Sequence, residues 1–521
     1  MVRSLYRKNI KKSKDIKKKK DGEENFSLEI GTSLTENLGN IKKMLDNPDD
    51  LVMRKFTIGD ANHRTAVVYI DGLVDSTYIH DHIMEDIKNV AELPNDKQEL
   101  FDVIHWEVIT VTDIELGQSL DDVSNAILSG NTVFYLDGMD QVLIMDTKGG
   151  ENRAIEEPQS ETLIRGARDG FVEDLRANTT LIRRYIADPN LRFKNYKVGK
   201  RSKKDLVVVY MDGIVNPDMV EEVNRRLDTI DIDEAPESGY IEQWIEDSFL
   251  SPFPQVLNTE RPDKVSAAVL QGKVAIMLDR TPFVLIVPAT FGSSLHSPED
   301  YYWRWSLATL LRLLRYLAAF ISVFLPSLYI ALVSYHPGLI PSDLAFSIAA
   351  SRDEVPFPPF VEALLMTVTM ELLREAGIRL PNAIGQTIGI VGGLVIGEAA
   401  VSAGLVSPIM VIVVALNAIA SFALPSYAVA ISFRIMQFGF MLSAAIFGLY
   451  GIILGYIMIN VHIVNLMSFG VPYSTNFAPN FKSDWKDLVL RAPITMIKRR
   501  PVFLQTKDRQ LMSKREGEKR Q

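Results

Sequence analysis

The chain has no cysteine, so neither a disulfide framework nor a thiolate metal site is open to it. Histidine is scarce as well: seven residues, too scattered to form a ligand set. A Walker loop, a GxGxxG after a strand, and the HExxH and CxxC motifs are all missing. These absences leave no case for a nucleotide- or metal-dependent enzyme, and no cofactor is expected. The N-terminal stretch MVRSLYRKNIKKSKDIKKKKDGEE lacks the apolar centre of a secretory signal, so the first domain is expected to stay in the cytoplasm. Charge is absent regionally too. Residues 1–300 hold most of it, while long stretches between 316 and 470 hold almost none, the pattern of a soluble domain followed by a membrane domain.

The charge that is present is sorted by sign. Residues 1–20 carry ten Lys or Arg against Asp15 alone, and residues 482–521 carry twelve against five acids, which leaves about −25 for the body between. Two basic ends around an acidic body fit an anionic cytoplasmic leaflet facing both termini. The lysine-rich run 8–20 has no interleaved aromatics, so nucleic-acid binding is not expected.

The soluble part reads as a duplication. RTAVVYIDGLVD (64–75) recurs as KDLVVVYMDGIVN (204–216), and GNTVFYLDGMDQVLIMD from Gly130 recurs as GKVAIMLDRTPFVLIVP from Gly272. Matching offsets of 141 and 142 residues point to two similar α/β subdomains, each opening on a buried strand and closing on two apolar strands joined by a tight turn. The Asp-Gly pairs at 71–72 and 212–213 read first as turns and second as strand-end ligand positions. Between the repeats, residues 172–186 read as a helix with Leu175, Leu181 and Ile182 inward and Arg183 and Arg184 outward. Arg165, Arg168 and Arg176 are candidates for a bidentate bridge between the subdomains.

A first span is expected from Leu313 to Ser334, preceded by interfacial Tyr301, Tyr302, Trp303 and Trp305 and by cytoplasmic Arg304, Arg312 and Arg315. Ile384–Leu405, Pro408–Ser432 and Phe438–Asn460 are also long enough to cross. The stretch 357–377 carries Glu362, Glu371 and Arg374 along one side, which predicts an interfacial or re-entrant helix and four crossings in all. Glycines at 385, 389, 393 and 397 recur every four residues and make one helix face nearly flat, suited to close packing. Glu398 needs a separate account, because a carboxylate at membrane depth has to face a partner, water or a bundle interior. The expected domains are a basic, largely disordered extension (1–55), a first α/β subdomain (56–160), a linker helix with a second α/β subdomain (161–300), an all-α polytopic membrane domain (301–480) and a basic cytoplasmic tail (481–521).

Several strings together, SPFPQVLNTERPDKVSAAVLQGKVAIMLD, TPFVLIVPATF, SIAASRDEVPFPP, ELLREAGIRLP, GQTIGIVGGLVIGEAAVSAGLVSPIMVIVVALNAIASF, SFGVPY and RGARDGFVEDLRANTTLIRR, resemble the A subunits of the spore germinant receptors, the GerA family. The resemblance covers roughly residues 60–480. It departs at Glu398, where a neutral residue, often Gln, is expected. It implies a nutrient-sensing complex in the spore inner membrane, acting with a transporter-like B subunit that binds the germinant and a C-type lipoprotein. It further implies a homo-oligomeric ring, pentameric by expectation, that contacts membrane lipids and conducts monovalent cations. Under that reading Gln386, Thr387, Gly389, Gly393, Gly397, Glu398 and Asn417 are the candidate pore or gate residues. A non-conducting scaffold and a germination-amplifying paralogue stay open as alternatives.

Overall fold

The computed structural model describes residues 29–512, apart from residues 60, 90–93, 112, 150–156, 380–392, 394 and 482. The chain divides into two compact units, one holding residues 1–153 with 186–190, the other residues 154–185 and 191–521.

In the first unit, α1 (Leu34–Met44) precedes β1 (Leu51–Ile58), β2 (His63–Ile70), β3 (Ile114–Gly117), α2 (Leu120–Leu128), β4 (Thr132–Leu136) and β5 (Val142–Met145). The strands form one antiparallel sheet in the order β1-β2-β4-β5-β3. The TAVV segment of the interior strand β2 is buried on both faces because apolar helices cover each side of the sheet. Helix α1 buries Leu34, Leu38 and Ile41 in one of those layers. Its first N–H, that of Leu34, donates to Asp137 in the β4–β5 turn at 3.0 Å, an N-terminal cap reached across 103 residues. The structured region therefore starts well before residue 55, the expected end of a disordered extension: α1 and β1 belong to the first subdomain.

The second unit opens with α3 (Leu175–Tyr185) and repeats the pattern with β6 (Leu191–Val198), β7 (Lys204–Met211), α4 (Pro217–Leu227), β8 (Leu257–Thr259), α5 (Pro262–Leu270), β9 (Val274–Leu278) and β10 (Val284–Val287). Its strand order, β6-β7-β9-β10-β8, is position for position that of the first sheet. The β4–β5 turn places Gly138 at φ +102°, and the equivalent β9–β10 turn places Arg280 at +64°. The duplicated turn thus keeps its left-handed residue even where glycine has been lost. Gly72 and Gly213 likewise have positive φ, the turn role read from Asp-Gly. Within α3, Arg183 is not outward as expected. It is 2% exposed, with its guanidinium 4.6 Å from the Phe193 ring centroid, where a stacked cation replaces an aliphatic contact.

The helices of ten or more residues that follow, among the described residues, are α6 (Trp305–Tyr335), α7 (Ser342–Ser351), α8 (Pro359–Arg379), α9 (Pro408–Phe422) and α10 (Tyr427–Asn465). Among the described residues, α6 and α10 are long and apolar enough to cross a bilayer. Helix α9 stops at Phe422, ahead of Pro425, so the expected span Pro408–Ser432 is divided between α9 and the start of α10. Helix α10 is a hairpin. Gly448 breaks it at φ 60°, ψ −142°, and the Phe324 ring touches Phe440 at 4.7 Å and Tyr456 at 6.1 Å, residues eight before and eight after that glycine. Both feet meet the second α/β subdomain: Ser432 Oγ donates to the Pro252 carbonyl, and His462 Nε2 lies 2.9 Å from Ser251 Oγ. Limbs 427–447 and 449–465 therefore run antiparallel.

Helix α8 lies lengthwise beside α9, because Glu362 near its start bonds Ser407 at the start of α9, and Arg374 near its end bonds Ser421 near the end of α9. Glu362 and Arg374, expected along the polar side of an interfacial or re-entrant helix, thus bond into α9. In the stretch expected as a basic tail, Phe503 and Leu504 pack into the core of the second subdomain.

The hairpin break gives a direct test. A Cβ at Gly448 would lie 3.0 Å from His336 and 3.1 Å from Tyr335, in a backbone conformation that side chains avoid. Gly448→Ala is expected to cost on the order of 1–3 kcal/mol. The helical Gly439, whose Cβ position meets nothing within 4 Å, should tolerate alanine with no loss. Thermal melts of the two detergent-purified variants check the difference.

Candidate functional site

The foot of α6 carries a buried charge cluster that ties three chain segments together. Asp300, 0% exposed, accepts from Arg312 Nε at 2.8 Å and from Arg315 at 2.8 and 2.9 Å. Arg312, also fully buried, donates onward to the Asp487 carboxylate at 2.9 Å and to the Asp487 carbonyl at 3.0 Å. Tyr301 donates to the other oxygen of Asp487 at 2.8 Å, and the Arg491 guanidinium stacks 4.5 Å from the Tyr301 ring centroid. One helix spacing produces this: Arg312 and Arg315 are three residues apart on α6 and point to the same side. The cluster joins the end of the second α/β subdomain, the first long apolar helix and the C-terminal segment. His296 closes it, 2.8 Å from the Leu488 carbonyl. Burial, reinforced by the Arg312 charge, holds this imidazole well below its usual pKa and hence neutral. The sequence reading sets Arg312 on the cytoplasmic side of the span; its partners, buried Asp300 and half-buried Asp487, lie 12 residues before and 175 after, spacings no periodicity reveals.

Deeper among the helices sits a second ion pair. Glu362 is 0% exposed; one oxygen is 2.9 Å from Arg352, and the other accepts from the N–H and the hydroxyl of Ser407, both at 3.0 Å. Ser407 is the N-cap of α9, so the carboxylate sits at the positive end of that helix. A third cluster places Glu371 2.9 Å from both Arg374 and Arg434, joining α8 to the first limb of α10. Glu362 is therefore interior, whereas Glu375, paired with Arg379, is on the outside.

The candidate pore residues are distributed unevenly. Gln386, Thr387 and Gly389 lie outside the described residues. Gly393 is helical and exposed; Gly397 is buried, and a Cβ there would meet Val411 at 3.7 Å, ordinary contact. Glu398 is exposed on the same helical stretch. Asn417 does not face open space: it is 6% exposed, and with its oxygen toward Gln437 its amide donates to the Ser322 carbonyl at 3.0 Å. The subdomain-bridge candidates have local partners. Arg168 pairs with Glu157 at 3.1 Å and Arg165 lies 5.7 Å from the Trp303 ring centroid, while for Arg176 the main-chain N–H donates to Asp174 at 2.8 Å in the first turn of α3. Among the described residues no group of three or more His, Asp or Glu is placed to hold a metal ion.

Comparison with known proteins places this architecture. The family described as Bacillus/Clostridium GerA spore germination protein matches residues 39–503. The spore germination protein GerLA of Bacillus cereus is 48% identical over 486 residues, 92% of this chain and 97% of that protein. The uncharacterized membrane protein YfkQ of Bacillus subtilis is 41% identical, covering 98% of each chain. The crystal structure of the N-terminal domain of the A subunit of the Bacillus megaterium spore germinant receptor GerK3 is 34% identical and covers 50% of this chain and 97% of that one, with a TM-score of 0.39. With the family match extending from the first α/β subdomain to the C-terminal segment, the chain belongs to the GerA family of spore germination proteins, the family of germinant-receptor A subunits.

Proposed function

We propose that the chain is the A-type subunit of a nutrient germinant receptor in the spore inner membrane, with both α/β subdomains and the C-terminus on the core side. It works with a transporter-like B-type subunit that binds the germinant and with a C-type lipoprotein. It assembles as a homo-oligomeric ring, pentameric by family expectation, that releases monovalent cations when germinant binds. It is a conducting and signalling protein rather than an enzyme.

The observation that carries the reading is the GerA match from the first α/β subdomain to the C-terminal segment, and Glu398 is the feature that this chain adds to it. An exposed carboxylate on an otherwise apolar helical stretch is costly against lipid, on the order of 2–4 kcal/mol for ionisable groups at mid-bilayer. Water or a neighbouring subunit on that face removes the cost, and a ring of such acids favours cations. Asn417 serves packing within the chain instead. The foot cluster around Arg312 supplies a rigid connection through which a movement of the α/β domain reaches α6.

Cation release from germinating spores carrying Glu398→Gln or Glu398→Lys tests this. The lysine variant is expected to slow release by about tenfold, the effect of a barrier raised by ~1.4 kcal/mol, while the glutamine variant keeps most of it. Unchanged release in both, at normal protein level, removes Glu398 from the path. A non-conducting transducer is the second reading, favoured by the same foot cluster, which suits force transmission whether or not the chain conducts. Purified protein in liposomes separates the two, since the transducer yields no cation conductance. Adjacent genes for B- and C-type subunits distinguish a receptor subunit from an amplifying paralogue.

A further inference from the structure

Residues 248–251 form a tight turn, with the Ser251 N–H donating to the Ser248 carbonyl at 3.3 Å. Its two corner residues are Phe249 and Leu250, 85% and 81% exposed. Turn corners ordinarily carry Gly, Pro, Asn, Asp or Ser, so two large apolar side chains there go against both turn chemistry and burial.

The turn is also held firmly. The fully buried Gln255 bonds Ser248 twice, accepting from its N–H at 2.9 Å and donating to its carbonyl at 2.7 Å. Ser251 meets His462 on one limb of the α10 hairpin, and Pro252 meets Ser432 on the other. Phe249 and Leu250 are thus presented beside the feet of both limbs. The outward faces above them continue the apolar surface, with Ile435 58%, Met458 71% and Val461 55% exposed.

From this arrangement we propose that the Phe249–Leu250 turn inserts into the bilayer at the boundary between headgroups and acyl chains, anchoring the second α/β subdomain to the membrane surface. The occupant is lipid because the turn continues the outer surface of a hairpin that needs hydrocarbon around it, and because the polar groups of Ser248 and Ser251 are already used in holding the turn. A fixed subdomain gives the foot cluster a support to work against. The proposal rests on the membrane reading above.

The absence of native cysteine makes the test clean. Leu250→Cys, Phe249→Cys, Met458→Cys and Arg201→Cys are each labelled with an environment-sensitive fluorophore in the full-length protein and reconstituted into phosphatidylcholine–phosphatidylglycerol vesicles containing nitroxide lipids. Arg201, 85% exposed at its side chain in the α/β subdomain, reports water, and Met458 reports the hairpin's surroundings. The expected result is quenching at 458, 249 and 250 but not at 201, strongest at 249 and 250 when the nitroxide sits near the headgroup. Quenching at 458 with a water-like signal at 249 and 250 overturns the proposal. So does a blue-shifted signal at those two positions that lipid nitroxides leave unquenched, since a second protein copy then covers the turn. No quenching at 458 overturns the membrane reading itself, and the anchoring with it.

Discussion

Asp300→Asn is expected to destabilise the protein by about 3–5 kcal/mol and to abolish the germination response, because it leaves a buried arginine short of its counter-ion. Asp300 is the shared acceptor of Arg312 and Arg315, and neither Asp300 nor Arg312 reaches solvent. An asparagine of nearly the same shape keeps the packing but donates where the arginines also donate. The loss should fall at the lower end of the range, since Arg312 retains Asp487, itself 27% exposed. Two comparisons isolate the charge effect. Asp205→Asn removes a partner of Lys197 from a surface pair, 66% and 58% exposed, and should cost no more than about 1 kcal/mol. Adding Arg312→Met to Asp300→Asn should recover part of the loss, because no unpaired cation then stays buried. Apparent melting temperatures of the detergent-purified variants, with germination rates of spores carrying them, are the measurements. A single variant as stable as the parent shows that the foot cluster does not hold α6.

The duplication was legible from two strings because a doubly buried strand is a continuous apolar run: TAVVYI and LVVVYM read as central strands without any knowledge of their neighbours. Turns were legible for a similar reason, since Asp-Gly encodes its own backbone. Three things were not. Helix α1 starts only fourteen residues past the basic run and has interspersed polar residues, so its buried stripe of Leu34, Leu38 and Ile41 is short and its cap comes from distant Asp137. The hairpin in α10 turns on a glycine inside an unbroken apolar stretch that contains several others, and only packing of Phe324 against both limbs distinguishes Gly448 from Gly439. The charges on α8 suggest an interfacial or re-entrant helix because periodicity reports which side a residue is on, not what lies there. Glu362 and Glu375 share a helix, yet one meets Ser407 and Arg352 in the interior and the other meets Arg379 outside.

Glu362 is where that difference becomes measurable. If α8 lay flat at a headgroup level, Glu362→Leu would be neutral or slightly favourable, since a surface carboxylate contributes little. In the observed packing the same change strands Arg352, 14% exposed, and withdraws the acceptor from the first N–H of the α9 cap, so a loss of about 3–5 kcal/mol is expected. Glu362→Gln should cost less, because an amide oxygen still accepts from Ser407, but it leaves the arginine without a counter-charge. Arg352→Leu combined with Glu362→Leu should be more stable than either single variant, as replacing both members of a buried pair by apolar side chains removes two desolvation costs at once. Glu375→Gln, on the same helix but 58% exposed, should stay within about 0.5 kcal/mol. Melting curves for these five variants separate a packed α8 from an interfacial one. Because the pair fixes the start of α9 to α8 and to the end of α7, cation release measured on the double variant then asks whether this junction must be ionic or only tight: retained stability with lost release assigns the charge itself a part in gating.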